Sequence, residues 1–193
     1  MDTSKSEVAA AAAEAGAEIV NDVTALRADS LLAEVARRRK LLMVLMHMRG
    51  EPRTMQKVAF ARDMVRDVTA GLRRAVALGR PAGLAKSQII LDPDLGVGKS
   101  WAQNFELLAR LPELSRRGYR LQAGPSRKNF VPWALGGTSK EARAWGAAAI
   151  EAAAILGGVL IVRVHDVAET ARVARVTGVV ANPAFRPVGP LSQ

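Results

Sequence analysis

The chain is 193 residues long, 49% apolar and 24% charged, with a formal charge of +10 and no cysteine. That length holds one domain with a sizeable core, and the apolar fraction excludes a chain disordered throughout. Disulfide and thiol chemistry are excluded, no apolar run reaches the length of a membrane span, and the opening residues Met1 to Lys5 lack a signal-peptide core, so a cytoplasmic protein is expected.

The charge invites a nucleic-acid partner, but Lys and Arg are scattered over predicted helix faces (37–40, 73–74, 116–117, 172 and 175). Aromatic residues make up only 4%, which leaves little to stack on bases. The surface is read as basic and solvated, with no nucleic acid and no membrane as partner.

From 6 to 15 the chain is Ala-rich, with Glu7 and Glu14, and reads as a helix stopped by Gly16. A strand is predicted over 18–23. Asp29 and Ser30 suit the cap of a helix carrying Leu31, Leu32, Val35 and Ala36 at helical spacing. The next strand covers 41–48. Gly50-Glu51-Pro52 opens a polar loop through Gln56, and an amphipathic helix follows over 58–78 with Val65, Val68 and Leu72 on one face. Then come a strand over 89–91, a glycine-rich turn over 92–98 and a helix over 104–116 that Gly118 stops. After a short strand near Leu121 and an Arg/Lys-bearing loop, a small-residue helix is predicted over 139–156. A strand over 160–164 and a helix from Asp166 to about 176 complete a unit read as 1–178, with a flexible tail over 179–193 that holds Pro183, Pro187 and Pro190.

Each apolar run stops at a polar cluster: Asn21-Asp22, Met46-His47-Met48-Arg49, Asp92, Gly124-Pro125-Ser126-Arg127-Lys128, and Arg163-Val164-His165-Asp166. Strand and helix alternate, which is the pattern of βα units around a parallel sheet. In such folds ligands sit at the carboxyl ends of the strands, so these clusters are the candidate site. A closed barrel of this kind takes eight strands and about 250 residues. Here five strands and a stub at residues 1–2 are legible, so the expected fold is an incomplete TIM-type (β/α)8 barrel lacking its first two to three βα units.

Simpler readings stand beside these. Asp92 before Pro93 suits the start of a turn, and Met46 and Met48 suit a core. His47 and His165 are the only histidines, and no spacing around them makes a metal site, so no metal ligand is expected within the chain. Arg163 and His165 stand two apart, on one face of a strand. Gly96-Val97-Gly98-Lys99-Ser100 is like the end of a phosphate-binding P-loop, but Pro93 stands where that pattern wants glycine and removes an amide.

Taken together, the strings Asp2-Thr3-Ser4-Lys5, Ile19-Val20-Asn21-Asp22-Val23, Leu45-Met46-His47-Met48-Arg49-Gly50, Leu91-Asp92-Pro93, Gly96-Val97-Gly98-Lys99, Ser126-Arg127-Lys128 and Arg163-Val164-His165-Asp166-Val167 resemble the dihydropteroate synthase family. The resemblance implies a (β/α)8 barrel of folate biosynthesis, the sulfonamide target. Its reaction joins a dihydropterin pyrophosphate to p-aminobenzoate and releases pyrophosphate. It implies that Asp2, Asn21 and Asp92 hydrogen-bond the pterin, that Met46 packs on it beside Gly124, and that Lys128 serves both pterin and aminobenzoate. Ser126, Val97 and Asn129 would lie on the aminobenzoate side. Arg163 and His165 would bind the pyrophosphate, making them catalytic with Lys128. Mg2+ as cofactor, held by an Asn in a segment preceding Met1, and a homodimer are implied in the same way. The chain departs from the family where Asp94 replaces a usual Gly, Val97 a usual Phe and Asn129 a common Ser. Impaired activity is the expectation, with a non-catalytic pterin-binding module or an inactive fragment as the alternative.

Overall fold

Among the described residues five strands lie side by side in chain order, every neighbouring pair parallel: β1 (Ile19–Asp22), β2 (Leu42–Met46), β3 (Ile89–Asp92), β4 (Arg120–Ala123) and β5 (Ile161–Val162). This computed structural model describes residues 1–50, 61–137, 139–182 and 184. Helices alternate with the strands: α1 (Ser6–Glu14), α2 (Leu31–Arg38), α3 (Met64–Gly79), α4 (Trp101–Ala109), α5 (Leu111–Ser115), α6 (Phe130–Leu135), α7 (Lys140–Leu156) and α8 (Val167–Ala181). The arrangement is that of an incomplete TIM-type barrel, as the sequence predicts. Ahead of β1, Met1 to Thr3 run parallel to it: Asn21 N donates to Met1 O at 2.8 Å, and Thr3 N donates to Asn21 O at 3.2 Å.

The strand register sorts the side chains into two faces. Residues paired across a parallel ladder point the same way, and successive residues alternate. Asn21 pairs with Val44, Met46 with Asp92, Val44 with Ile90, Ile90 with Arg120, and Gln122 with Ile161. One face therefore carries Asn21, Met46, Asp92 and Gln122 at its carboxyl end. The other carries Val20, Met43, Leu45, Ile89, Leu91, Leu121 and Ala123, all buried in one cluster with Leu32, Met64, Val68, Leu72, Leu107 and Leu111 of the helices. Apolar burial against the helices thus fixes the register, and a one-residue slip would send every polar strand end into that core.

Several element bounds differ from the sequence reading, each for a local reason. The helix expected over 104–116 is two helices, because Pro112 has no N–H to continue the ladder and α5 restarts with it in its first turn. The first of the two starts earlier, at Trp101: Ser100 Oγ accepts from Gln103 N, and Gln103 Oε1 accepts from Ser100 N, a reciprocal cap. Helix α3 starts at Met64, where Asp63 Oδ1 accepts from Arg66 N at 3.0 Å. The expected polar loop at 51–56 and the first residues of that predicted helix, 58–60, lie outside the described residues. Helix α6 lies in the stretch read as part of the Arg/Lys-bearing loop; its Pro132 falls in the first turn, where no amide is needed. Asp166 makes no side-chain cap and pairs with Arg127 instead, at 3.3 Å. Helix α8 runs to Ala181, past both the predicted end and the boundary at 178. Among the described residues no helix is long and apolar enough to cross a membrane.

Candidate active site

The polar strand ends surround a cavity of about 390 Å³ lined by Met46, Asp92, Asp94, Leu95, Gly124, Ser126, Lys128, Arg163, Val164 and His165. Of the residues singled out in the sequence, it brings together Met46, Asp92, Gly124, Ser126, Lys128, Arg163 and His165. Asn21 sits one strand over from Met46 on the same face, and Asp2 joins the set through Arg163, whose Nη2 donates to Asp2 Oδ2 at 2.6 Å. Val97 and Asn129 do not line the cavity: Val97 contributes its carbonyl to the glycine-rich turn, and Asn129 is an exposed residue just ahead of α6.

Asp92 is the fixed centre. Its Oδ1 accepts from Asp94 N at 2.7 Å and its Oδ2 from Gln122 Nε2 at 3.0 Å, so both oxygens are held in place while lone pairs remain for a ligand. Burial pushes its carboxyl above the ordinary range, opposed by those hydrogen bonds and by Lys99 and Lys128. Two strands away, Asn21 is 8% exposed and its Oδ1 has no hydrogen-bond partner among the described residues. An orphaned buried acceptor on the ligand-facing side of a strand end is a group awaiting a donor. Asp22 next to it points the other way and is structural, accepting from Thr24 N, Thr24 Oγ1 and Leu26 N at 2.6–2.8 Å.

The opposite wall is cationic and more open. Ser126 Oγ is 3.0 Å from His165 Nδ1 and also accepts from His165 N at 3.3 Å, which seats the imidazole against β4's loop. Arg163 and His165 are both exposed. The two side chains stand where an anion can take the place of Asp2 on the guanidinium.

His47 plays no part at the cavity. It is buried behind β2, Nε2 lies 3.2 Å from Asp67 Oδ2, Nδ1 has no partner among the described residues, and burial with Lys99 nearby lowers its pKa to about 4. Sequence reasoning missed Gln122, whose signal was a lone polar residue on the ligand-facing parity of an otherwise apolar strand. Lys99, which the sequence presents as the end of a P-loop-like string, is drawn inward: Nζ donates to Asp94 O at 2.5 Å and Val97 O at 3.1 Å. That geometry rules out the P-loop reading, because the ammonium is spent on its own turn. Among the described residues no three His, Cys, Asp or Glu side chains cluster as metal ligands do.

Residues 1–165 match the family described as pterin binding enzyme. The chain is 41% identical over 176 residues to a dihydropteroate synthase of Synechocystis sp., covering 91% of this chain and 61% of that protein. It is 39% identical over 176 residues to the dihydropteroate synthase of Escherichia coli, covering 91% and 62%. The crystal structure of dihydropteroate synthase from Stenotrophomonas maltophilia with active site-bound imidazole superposes with a TM-score of 0.86 at 35% identity, covering 96% of this chain and 69% of that one. The Xanthomonas albilineans enzyme with 4-aminobenzoic acid superposes at 0.84 with 36% identity, covering 96% and 64%. The chain spans about three fifths of the length of these curated relatives.

Proposed function

This chain belongs to the pterin-binding enzyme family, and on that premise we propose that it is a dihydropteroate synthase: it joins a dihydropterin pyrophosphate to p-aminobenzoate, with Mg2+ required and pyrophosphate released. The observation that carries the reading is the row Asn21, Met46, Asp92 and Gln122 on one face at the strand ends, with an unpartnered buried acceptor at one end of it. A pterin edge alternates donors and acceptors. Asp92 accepts from the ring's N–H groups, Asn21 Oδ1 accepts a further one, and Met46 packs on the ring face.

In the proposed step the methylene carbon loses its oxygen to pyrophosphate and gains the aminobenzoate nitrogen, which gives up a proton to solvent. Charge grows on the leaving oxygens, so Arg163 and His165 stabilise the transition state there, and Arg163 exchanges Asp2 for the anion. Lys128, lining the same cavity, orients both substrates. Ser126 seats His165. Among the described residues no three His, Cys, Asp or Glu side chains cluster to hold Mg2+ by themselves, so no step is routed through the metal. On this reading the cysteine-free chain works in the cytoplasm, and a second copy is its partner through α7 and α8, which leave Trp145, Val176 and Val180 exposed.

A second reading, pterin binding without turnover, is favoured by Val97 and Asn129 standing outside the cavity on the side assigned to p-aminobenzoate. Incubation with both substrates and Mg2+, followed by mass detection of dihydropteroate and by pyrophosphate release, separates the two. Product formation lost in Lys128→Ala supports the synthase. Pterin binding with no product establishes the second reading, and absence of pterin binding contradicts both.

A further inference from the structure

Lys99 is a charged residue at 5% exposure, directly beneath the cavity and without access to it. Its Nζ donates to the carbonyls of Asp94 and Val97 and lies 3.6 Å from Asp94 Oδ2. The turn it fills is unusual: Asp94, Gly96 and Gly98 have φ of +55°, +97° and +61°. Three left-handed residues in five bring the carbonyls of Asp94 and Val97 onto one ammonium, and an L-residue such as Asp94 holds that conformation only where its surroundings fix it. Those surroundings are Lys99, Asp92 accepting from Asp94 N, and Asn104 Oδ1 accepting from Gly96 N at 2.6 Å.

The turn in turn carries Lys128. A Cβ built on Gly96 would stand 2.6 Å from Lys128 Cδ and 2.8 Å from its Cγ, so the aliphatic stem of Lys128 lies directly on the Gly96 backbone. We propose that Lys99 is a positioning residue, clamping the 94–97 turn from inside so that Gly96 forms the platform that aims the Lys128 ammonium into the cavity. Asp94 is its counter-charge: in place of a small residue it supplies the carboxylate that keeps a buried ammonium paired. The consequence for ligand binding rests on the pterin-site reading above, whereas the effect on Lys128 does not.

The test uses the full chain with 13C-labelled lysine, the Lys128 Cε–Hε signal being assigned with Lys128→Arg. In Lys99→Met that signal moves toward the position and linewidth of a free lysine, and the dissociation constant for dihydropterin pyrophosphate rises roughly tenfold, as loss of a charged hydrogen bond implies. The double variant Asp94→Asn with Lys99→Met removes the ammonium together with its nearest counter-charge. It regains thermal stability but keeps both the shifted Lys128 signal and the weakened binding, and it carries the test if the single variant does not fold. A Lys128 signal unchanged from wild type in either folded variant overturns the proposal, as does a double variant that regains affinity along with stability. A shifted Lys128 signal in a chain that binds no pterin upholds the positioning role and removes the pterin reading instead.

Discussion

Around β3 and β4 the polar groups at the strand ends are held by buried hydrogen bonds, whereas around β5 their counterparts stand on the surface. Asp92, Gln122 and Lys99 are each at most 6% exposed and bonded to fixed neighbours. Arg163 and Asp2 meet across a pair whose side chains are 56% and 58% exposed, and β5 itself is two residues long. The difference teaches which recognition is built in advance. A planar heterocycle is read by dipoles that must already be in place, since a buried polar group left unpaired costs more than its bond returns. A phosphate group tolerates mobile cations, because charge attraction depends weakly on angle.

The sharpest way to break this comparison is to cut the core on either side of one ladder. Leu121 in β4 is fully buried, and Leu160, whose N–H donates to Leu121 O at 3.0 Å, is 70% exposed. Urea unfolding of Leu121→Ala is expected to show a loss of about 2–5 kcal/mol, and of Leu160→Ala a change within about 0.5 kcal/mol. Comparable losses would show that β5 is packed as β4 is.

Asp92→Asn replaces a fixed carboxylate with an amide whose NH2 opposes a donor. Calorimetric titration with a bare pterin is expected to show binding weakened by about 10- to 100-fold, corresponding to a hydrogen bond to a charged group. Arg163→Ala is expected to weaken only the pyrophosphate-bearing ligand and to leave bare pterin unaffected.

Acid titration separates the halves again. His47 is buried neutral with a pKa near 4, below its ordinary 6.5, so the unfolded chain takes up a proton first as pH falls. Stability from this group is complete above about pH 6.5 and is lost as pH falls toward 4. Relative to His47→Gln, wild type is expected to lose on the order of 2 kcal/mol between pH 7 and 4.5, measured by urea unfolding at each pH. The exposed pair contributes little: Arg163→Ala is expected to change stability by at most about 1 kcal/mol, and less at high salt.

How much of this was legible follows from where each signal lies. Asn21, Met46, Asp92 and Arg163 could be picked out because each ends an apolar run, and alternation along a strand then fixes the face they share. Gln122 escaped notice because β4 has four residues, too few for alternation to show. Lys99 was misleading rather than silent: next to two glycines it resembles a phosphate-binding lysine, and only the inward carbonyls of a left-handed turn reveal what it bonds. Asp94 was seen as a departure, but its role as a buried counter-charge depends on a side chain five positions away. Helix α6 is six residues long, too short for a helical period to show in the sequence.

On the proposed function, the buried polar face of β1 to β4 is by itself a site for a pterin ring. Thermal melting of the chain with 6-hydroxymethylpterin, which carries no phosphate, tests it most directly. At about a hundred times its dissociation constant a ligand stabilises by roughly 2.7 kcal/mol. A midpoint raised in wild type and unmoved in Asp92→Asn is the predicted result. A wild-type midpoint that responds to pyrophosphate and not to the bare pterin would contradict it.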